Sequence, residues 1–398
     1  MKIYPNILSG AIDCLKLILL QNKYTADVLD QAFRNNKKWG SRDRRFIGEA
    51  VFEIVRWQRL LAHCGNTIYS EPEYCEKLLA VYLIKSGYNL PETYLDLVNV
   101  ELVNENLSSH ILPFATRESI PEWLNNWGQR ELPQNWEKEL KSLNESAMVF
   151  LRANTLKINA IELHEKLKIS GIETSKVSNS PECLLLIKRK ALNSLQEFKD
   201  GLFEIQDAGS QEIAPFLKPE SGMTIIDACA GAGGKTLHIA SLLKNSGKII
   251  SMDVEEKKLT ILKERALRAG AKNIEIRKIQ SETIEKLRNT ADRLLLDVPC
   301  SGLGVLKRNP DAKWKLSLES MEKTIALQAK ILSEYSSMLK TGGIMVYSTC
   351  SILPSENEKQ IEKFIKNQNS AFVLEEEKYV WPSEGADGFY MARMKKIK

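Results

Sequence analysis

From Met223 onward, short apolar runs alternate with segments of helical length and periodicity. The apolar runs are MTIIDAC, KIISMDV, NIEIRKI, DRLLLDV and GIMVYSTCS. Apolar strands separated by helices predict a mostly parallel sheet that is covered on both faces. We therefore predict a doubly wound, Rossmann-like α/β domain in this region. Ligands of such domains bind at the carboxyl ends of the strands.

Several chemically capable side chains follow these predicted strands at their carboxyl ends. They are Asp227, Asp253, Asp297, Cys300 and Cys350. Because the carboxyl ends of parallel strands share one edge of the sheet, we expect these side chains to converge on one site.

The preceding sequence has a different texture. Residues 1–142 show apolar residues three and four apart, as in RFIGEAVFEIVRWQRLLAHC, which predicts an all-helical domain. Residues 143–215 read as short strands alternating with a helix, a small α/β module. Residues 216–398 then form the doubly wound domain. A chain of 398 residues is long enough for such a division.

Composition narrows the partners and the environment. The net charge of +5 permits a polyanionic partner without requiring one. Its densest cluster, KKWGSRDRR at residues 37–45, is either a solvated face or a phosphate-contacting patch. There is no apolar run of the ~20 residues that a membrane span needs, and no signal peptide is indicated. We expect a cytoplasmic monomer.

Neither disulfides nor a metal site is predicted. The seven cysteines are odd in number and contain no CxxC pair, which suggests reduced thiols. The histidines lack metal-ligand spacing, and His238 is expected to be a satisfied helix residue. The four are His63, His110, His164 and His238.

The loop DACAGAGGKT after the first strand of the final domain predicts a nucleotide site. Its glycines allow a tight turn and a close approach of backbone N–H groups to a ligand. The sequence lacks the first glycine of an ATP-binding P-loop, where Cys229 stands, and the last glycine of a dinucleotide fingerprint, where Thr236 stands. Asp253, at the end of the next strand, is suited to ribose hydroxyls. S-adenosylmethionine is the favoured ligand, with ATP as the main rival.

The two strand-end cysteines suggest pyrimidine chemistry. Carbon C5 of a pyrimidine becomes nucleophilic once a thiolate adds to C6, and the thiolate can leave again afterwards. Asp297 could hold the N3 edge of the base, while a general base must remove the C5 proton. Residue types alone leave open whether Cys300 or Cys350 attacks, and they suggest that Cys229 is a small packing residue.

Four motifs in order resemble the Sun/RsmB family of RNA (cytosine-5) methyltransferases. They are DACAGAGGKT, DVPCSGLGVLKRNPDAKW, YSTCSILPSENE and DGFYMARM. In addition, SRDRRFIGEAVFEIVRW is similar to the NusB-like RNA-binding domain of the RsmB branch, and FLRANTLK with GLFEIQDAGSQ to its middle segment. The resemblance implies a class I methyltransferase domain that uses S-adenosylmethionine.

The resemblance also implies residue roles. Cys350 would be the nucleophile and Cys300 would help release the product, with Asp297 and Lys235 also catalytic. The implied cofactor contacts are Cys229, Ala230, Gly231, Ala232, Gly233, Gly234, Lys235, Asp253 and Asp297. Gly231 and Ala232 replace the family's usual Ala-Pro, which should loosen the turn. The usual acid near the adenine is absent, leaving Gln280 or Glu282 in its place.

The resemblance also implies a substrate, and one alternative function remains open beside it. The RsmB branch implies small-subunit (16S) ribosomal RNA as the first substrate and transfer RNA as the second. A nonenzymatic RNA-binding or assembly protein is the alternative of a different class.

In SILPSENE, Ser355 and Glu358 are expected to form a capping box that starts a helix and fixes the loop of Cys350.

Overall fold

The computed structural model describes residues 4–109, 111–178, 180–368 and 371–398. They form two compact units. One comprises Met1–Asn144 with Leu306–Ser317, and the other comprises Glu145–Val305 with Leu318–Lys398. Among the described residues, no helix is both long and apolar enough to cross a bilayer.

Helices build the first unit. They are α1 (Pro5–Leu15, continued by a π-helical turn over Lys16–Leu20), α2 (Thr25–Asn35), α3 (Ser41–Arg56), α4 (Gln58–Cys64), α5 (Tyr74–Lys85), α6 (Glu92–Leu95), α7 (Val100–Ser108), α8 (Phe114–Arg117), α9 (Glu122–Glu131) and α10 (Trp136–Leu143). Helix α3 shows why: Phe46, Ile47, Ala50 and Ile54 recur at helical spacing and are buried in the core.

A small antiparallel sheet begins the second unit. Its elements are β1 (Phe150–Ala153), α11 (Ala160–Ile169), β2 (Thr174–Val177), β3 (Ser180–Leu186), α12 (Gln196–Lys199) and β4 (Phe203–Ile205). The strand order is β2-β3-β1-β4. Leu151 and Leu184 pair across the sheet and pack with Leu163 and Leu167 of α11.

The larger sheet and its helices complete the second unit. In chain order the elements are α13 (Ala208–Phe216), β5 (Thr224–Asp227), α14 (Gly234–Leu242), β6 (Lys248–Asp253), α15 (Glu256–Ala269), β7 (Ile274–Lys278), α16 (Ser281–Lys286), β8 (Ala291–Asp297), α17 (Ala312–Lys315), α18 (Leu318–Tyr335), β9 (Leu339–Thr349), α19 (Glu358–Asn367), β10 (Phe372–Val380) and β11 (Phe389–Lys396). Of these, α17 belongs to the helical unit.

The seven strands have the order β10-β11-β9-β8-β5-β6-β7. Strands β9, β8, β5, β6 and β7 are parallel, and β10 and β11 form an antiparallel hairpin beside β9. This arrangement confirms the predicted doubly wound, Rossmann-like domain. The hairpin was not part of the prediction.

Residues 306–317 leave the doubly wound domain and pack within the helical unit. The Trp314 indole N–H donates to the Val55 carbonyl at 2.7 Å, and the Arg56 guanidinium donates to the Lys307 carbonyl at 2.9 Å. Lys313 is buried and donates to Asn144 at 3.3 Å. The three domains predicted from the sequence were contiguous, so the packing of residues 306–317 with the helical unit was not predicted.

The expected capping box after Cys350 is wrong. Pro354–Glu356 forms a short 3-10 turn, and α19 begins only at Glu358, with no side-chain cap. The Glu358 carboxylate instead accepts a hydrogen bond from the Tyr379 hydroxyl. The tertiary contact with β10 replaces the local pattern that the sequence suggested.

Candidate functional site

The register of the large sheet brings the strand-end side chains together. Asp227 lies opposite Leu295 of β8 and Ser251 of β6, and Asp297 lies opposite Ser348 of β9. The chain proceeds from β5 to β6 and β7 on one side and later to β8 and β9 on the other. The carboxyl ends of β5 and β8 therefore flank the point where strand order reverses, the usual ligand position in open α/β sheets.

The glycine loop is closed by backbone conformations and side-chain bonds. Gly233 has φ +87°, and a Cβ there would lie 2.6 Å from Leu262 Cγ, so both conformation and space require glycine. The Gly231 N–H donates to Asp253 Oδ2 at 2.9 Å. That bond joins the loop to the end of β6.

Two arginines hold the carbonyl groups of the same loop. Arg265 donates to the Ala232 carbonyl at 2.8 Å, and the buried Arg152 donates to the Gly234 carbonyl at 2.9 Å. Glu204 in turn accepts from Arg265 at 2.9 Å. These bonds restrain a turn from which the family's proline is missing.

A cavity of ≈ 190 Å³ lies beside the loop. Its walls include the predicted residues Cys229, Ala230, Gly234, Lys235 and Asp297. The sequence motifs did not identify the remaining wall residues as cofactor contacts. They are Ile205, Gln206, Ser210, Asp227 and Arg265.

The remaining predicted cofactor residues lie outside that wall. Gly231, Ala232 and Gly233 form the turn itself, and Asp253 engages Gly231. Gln280 is exposed just beyond β7, where the neighbouring Ile279 N–H donates to the Asp253 carbonyl at 3.0 Å. Its contact with an adenine stays a prediction.

The hydrogen bonding of Asp227 indicates whether a cationic ligand would fit the cavity. Its Oδ2 accepts from the Thr236 hydroxyl at 2.7 Å, whereas its Oδ1 is buried without a hydrogen-bond partner. Burial raises the pKa of Asp227 to about 7. A positively charged ligand would supply what this carboxyl lacks, as the sulfonium and ammonium groups of S-adenosylmethionine can.

Lys235 and Asp297 form an ion pair at the end of β8. The distance from Nζ to Oδ2 is 2.5 Å, and the other carboxylate oxygen accepts from the Ser348 hydroxyl at 2.8 Å. Burial opposes the charge on Lys235, but Asp297, Cys350 and Asp227 attract it, so its pKa lies above the usual value. A cation is therefore retained beside the thiols.

The two strand-end cysteines come together, as their predicted positions implied. The Sγ atoms of Cys300 and Cys350 are 3.2 Å apart. The hydrogen bond to Cys350, followed by burial, holds the pKa of the Cys300 thiol well above its usual range. Cys300 is therefore expected to keep its proton beside the Cys350 sulfur.

The loops of the two thiols meet through glycine. The Gly304 N–H donates to the Cys350 carbonyl at 2.9 Å, and Gly388 donates to the Gly304 carbonyl at 2.8 Å. A Cβ on Gly304 would lie 2.2 Å from the Gly388 oxygen. The contact explains the glycine at position 304, whereas a Cβ on Gly388 would lie 2.8 Å from Ile352 Cγ2.

Four further cysteines and the described histidines lie outside the cavity wall and the thiol pair. Burial is the main cause that raises the pKa of Cys14, Cys64, Cys75 and Cys183. His238 is buried against Glu182 at 3.0 Å, and burial lowers its pKa to about 4. His110 lies outside the described residues. Within the described ranges, no three His, Cys, Asp or Glu side chains are grouped to hold a metal.

Fold and site together define a class I methyltransferase domain. Comparison with known families matches residues 214–395 to "16S rRNA methyltransferase RsmB/F" and residues 120–193 to its ferredoxin-like domain. The Yersinia enterocolitica "ribosomal RNA small subunit methyltransferase B" is 34% identical over 439 residues, covering 99% of each chain. The corresponding "probable" protein of Synechocystis is 29% identical over 442 residues, covering 96% of this chain and 97% of that one.

The chain belongs to the RsmB/F family of 16S rRNA methyltransferases. This confirms the Sun/RsmB resemblance and the predicted cofactor, S-adenosylmethionine, and disfavours the ATPase alternative. Among solved structures, "Crystal Structure of PH0851" superposes with a TM-score of 0.82 over 100% of both chains at 24% identity, which supports the fold.

Proposed function

We propose that the protein is an S-adenosylmethionine-dependent RNA (cytosine-5) methyltransferase that acts on small-subunit ribosomal RNA. The observation that carries the proposal is the pair of thiols, 3.2 Å apart, at the strand ends that also bear Lys235 and Asp297. A methyltransferase that acts on a nucleophilic amine or hydroxyl has no need of two thiols. Methylation of C5 needs one for addition and benefits from a second for release.

Cys350 is the proposed nucleophile. A thiolate at Cys350 gains a hydrogen bond from Cys300 and attraction from Lys235, whereas Cys300 is held in its protonated form. The Cys350 thiolate adds to C6 of the cytosine, and the C5=C6 electron pair moves toward N3 and O2. In this proposal the Lys235 ammonium stabilises the negative charge that grows on that edge, while Asp297 holds Lys235 and helps to orient the base.

The later steps restore the aromatic base. When bound, S-adenosylmethionine would supply the methyl group that C5 accepts and would leave as S-adenosylhomocysteine. A base then removes the C5 proton, the C6–S bond breaks, and the electron pair returns to Cys350 as thiolate. Cys300, whose Sγ lies 3.2 Å from that of Cys350, assists this release by forming a hydrogen bond with the departing sulfur.

The glycine loop and its neighbours would hold the methyl donor. Gly231 and Gly233 allow a close backbone approach, Asp253 can accept from ribose hydroxyls, and the unpartnered Asp227 Oδ1 can accept from an ammonium group. On binding, a ribose hydroxyl would replace the Gly231 N–H as the donor to one Asp253 carboxylate oxygen.

RNA contacts are assigned to the helical unit and the small sheet. Lys37, Lys38 and Arg42 are exposed ahead of and within the first turn of α3, where they can meet phosphates. The target cytosine must be unpaired or extruded to reach the thiols.

The test is methylation in vitro with small-subunit and transfer RNA in parallel, followed by bisulfite mapping of 5-methylcytosine. Wild type should modify a cytosine of the small-subunit RNA, and Cys350→Ala should not. Cys183→Ala is the matched control, because Cys183 is a buried thiol of β3 outside the pair. Methylation of another atom, or full activity of Cys350→Ala, contradicts the proposal.

A further inference from the structure

A buried carboxylate in the segment that follows Cys350 accepts hydrogen bonds from residues next to both thiols. Glu356 ends the 3-10 turn Pro354–Glu356 and is 0% exposed. A fully buried carboxylate is costly unless its oxygens accept several hydrogen bonds. The identity of its donors therefore indicates what it is there to hold.

The donors come from both cysteine loops. Ser301, directly after Cys300, donates its backbone N–H to Glu356 Oε1 at 2.8 Å and its hydroxyl to Oε2. Ser351, directly after Cys350, donates its hydroxyl to the same Oε2. One carboxylate thus joins the residues that follow the two thiols.

Helix α18 adds a second tie to the Cys300 loop. Gln328 donates to Glu356 Oε1 at 3.0 Å and to the Pro299 carbonyl at 2.9 Å. Cys300 is therefore held on both sides, through Pro299 and Ser301. The Tyr347 hydroxyl donates to the Glu356 carbonyl at 2.6 Å and fixes the turn to β9.

We propose that Glu356 is a positioning residue that fixes the separation of the Cys300 and Cys350 thiols by clamping the two loops that carry them. The carboxylate touches neither thiol and takes no part in bond changes. The catalytic use of the clamp rests on the proposed function, but the clamp itself concerns only the distance between two sulfur atoms.

Charge and length of the side chain make separable contributions. Glu356→Gln keeps the length, and its NH₂ can donate to the two serine hydroxyls, which are able to accept. Glu356→Asp keeps the charge but is one methylene shorter and cannot reach both loops. Glu356→Ala removes all four bonds. If the clamp is geometric, Gln should preserve the thiol separation and Asp should not.

The experiment measures the effective concentration of one thiol at the other. Each full-length variant is equilibrated in glutathione buffers, and the fraction with a Cys300–Cys350 disulfide is read by peptide mass spectrometry. Wild type and Glu356→Gln should agree within about threefold. Glu356→Asp and Glu356→Ala should fall by about tenfold or more, the equivalent of losing one charge-assisted hydrogen bond. Glu358→Gln is the matched control, since Glu358 bonds Tyr379 and no cysteine loop.

A second readout separates the clamp from general loss of structure. The charge of Glu356 is one cause that holds the Cys300 pKa high, so the alkylation of Cys300 should shift to lower pH in Glu356→Gln while the effective concentration stays near wild type. In methylation assays, Glu356→Asp should lower kcat with little change in KM for RNA.

The outcomes are distinguishable from those of the proposed function. An unchanged effective concentration in folded Glu356→Asp and Glu356→Ala overturns the clamp. If Glu356→Ala does not fold, the Asp variant decides alone. If the effective concentration falls as expected but wild type methylates no cytosine, the clamp stands and the proposed chemistry fails.

Discussion

The ion pair between Lys235 and Asp297 gives a prediction whose size follows from burial. Asp297→Asn keeps the shape of the side chain and an acceptor for Ser348, but it leaves the Lys235 ammonium unpaired. Loss of one partner of a buried pair costs about 3–5 kcal/mol. The two side chains here are 14% and 25% exposed, so water recovers part of that, and we expect a loss of about 2 kcal/mol.

The reverse change should cost less. Lys235→Met leaves Asp297 with its Ser348 bond and more access to water, for a loss of about 1 kcal/mol. The double variant removes both charges and should resemble Lys235→Met alone, which makes the coupling energy about 2 kcal/mol.

Urea unfolding of the four proteins without methyl donor measures this cycle. Because the pKa of Lys235 is raised on folding, its contribution is complete below the unfolded pKa of about 10.4 and is lost as pH rises through the higher folded value. Additive single effects, or an Asp297→Asn variant as stable as wild type, refute the assignment of a buried, coupled pair.

Three further perturbations test other parts of the structure. Burial lowers the His238 pKa to about 4, so the unfolded chain takes the proton first and about 3 kcal/mol is lost as pH falls from 6.5 to 4; urea titrations of His238→Gln should lack that loss, and parallel pH curves would contradict it. Gly304→Ala should cost about 1–3 kcal/mol by overpacking, whereas Gly48→Ala, whose Cβ meets only one ring at 3.9 Å, should be harmless; thermal unfolding compares them. Arg265→Met frees the Ala232 carbonyl of the glycine loop and should weaken S-adenosylmethionine binding about tenfold by calorimetry. Arg268→Met should not, because Arg268 binds the same Glu204 and stacks on Phe198; equal effects would argue against a restrained loop.

Elements buried on both faces could be predicted from sequence alone. The apolar runs of Lys248–Asp253 and Ala291–Asp297 form strands because a central parallel strand has no solvent face. Their order along the chain then placed the strand-end acids and cysteines at one edge, which the sheet bears out.

Strand pairing and contacts between residues far apart in the sequence could not be predicted. The hairpin β10/β11 depends on β11 aligning with β9, a contact that no local pattern encodes. Residues 306–317 leave their domain because Trp314 and Arg56 find acceptors that are close only in the folded chain. The capping-box pattern failed because Glu358 has a tertiary donor in Tyr379.

The candidate site was likewise only partly predictable from the sequence. Motifs marked the residues whose chemistry is recognisable by type, such as Cys300, Cys350 and Lys235. Side chains that act through geometry carried no such mark: Arg265 binds a carbonyl 33 residues away, and Glu356 joins loops separated by 50 residues. Only the folded arrangement reveals what they hold.

We propose above all that Cys350 forms the covalent bond to the RNA base and that Cys300 assists its release. The most direct test incubates Cys300→Ala with S-adenosylmethionine and small-subunit RNA, isolates the denaturant-resistant protein–RNA complex, and identifies the linked peptide by mass spectrometry. The linkage should lie at Cys350 and vanish in Cys300→Ala/Cys350→Ala. A complex that instead accumulates in Cys350→Ala, linked through Cys300, would contradict the assignment.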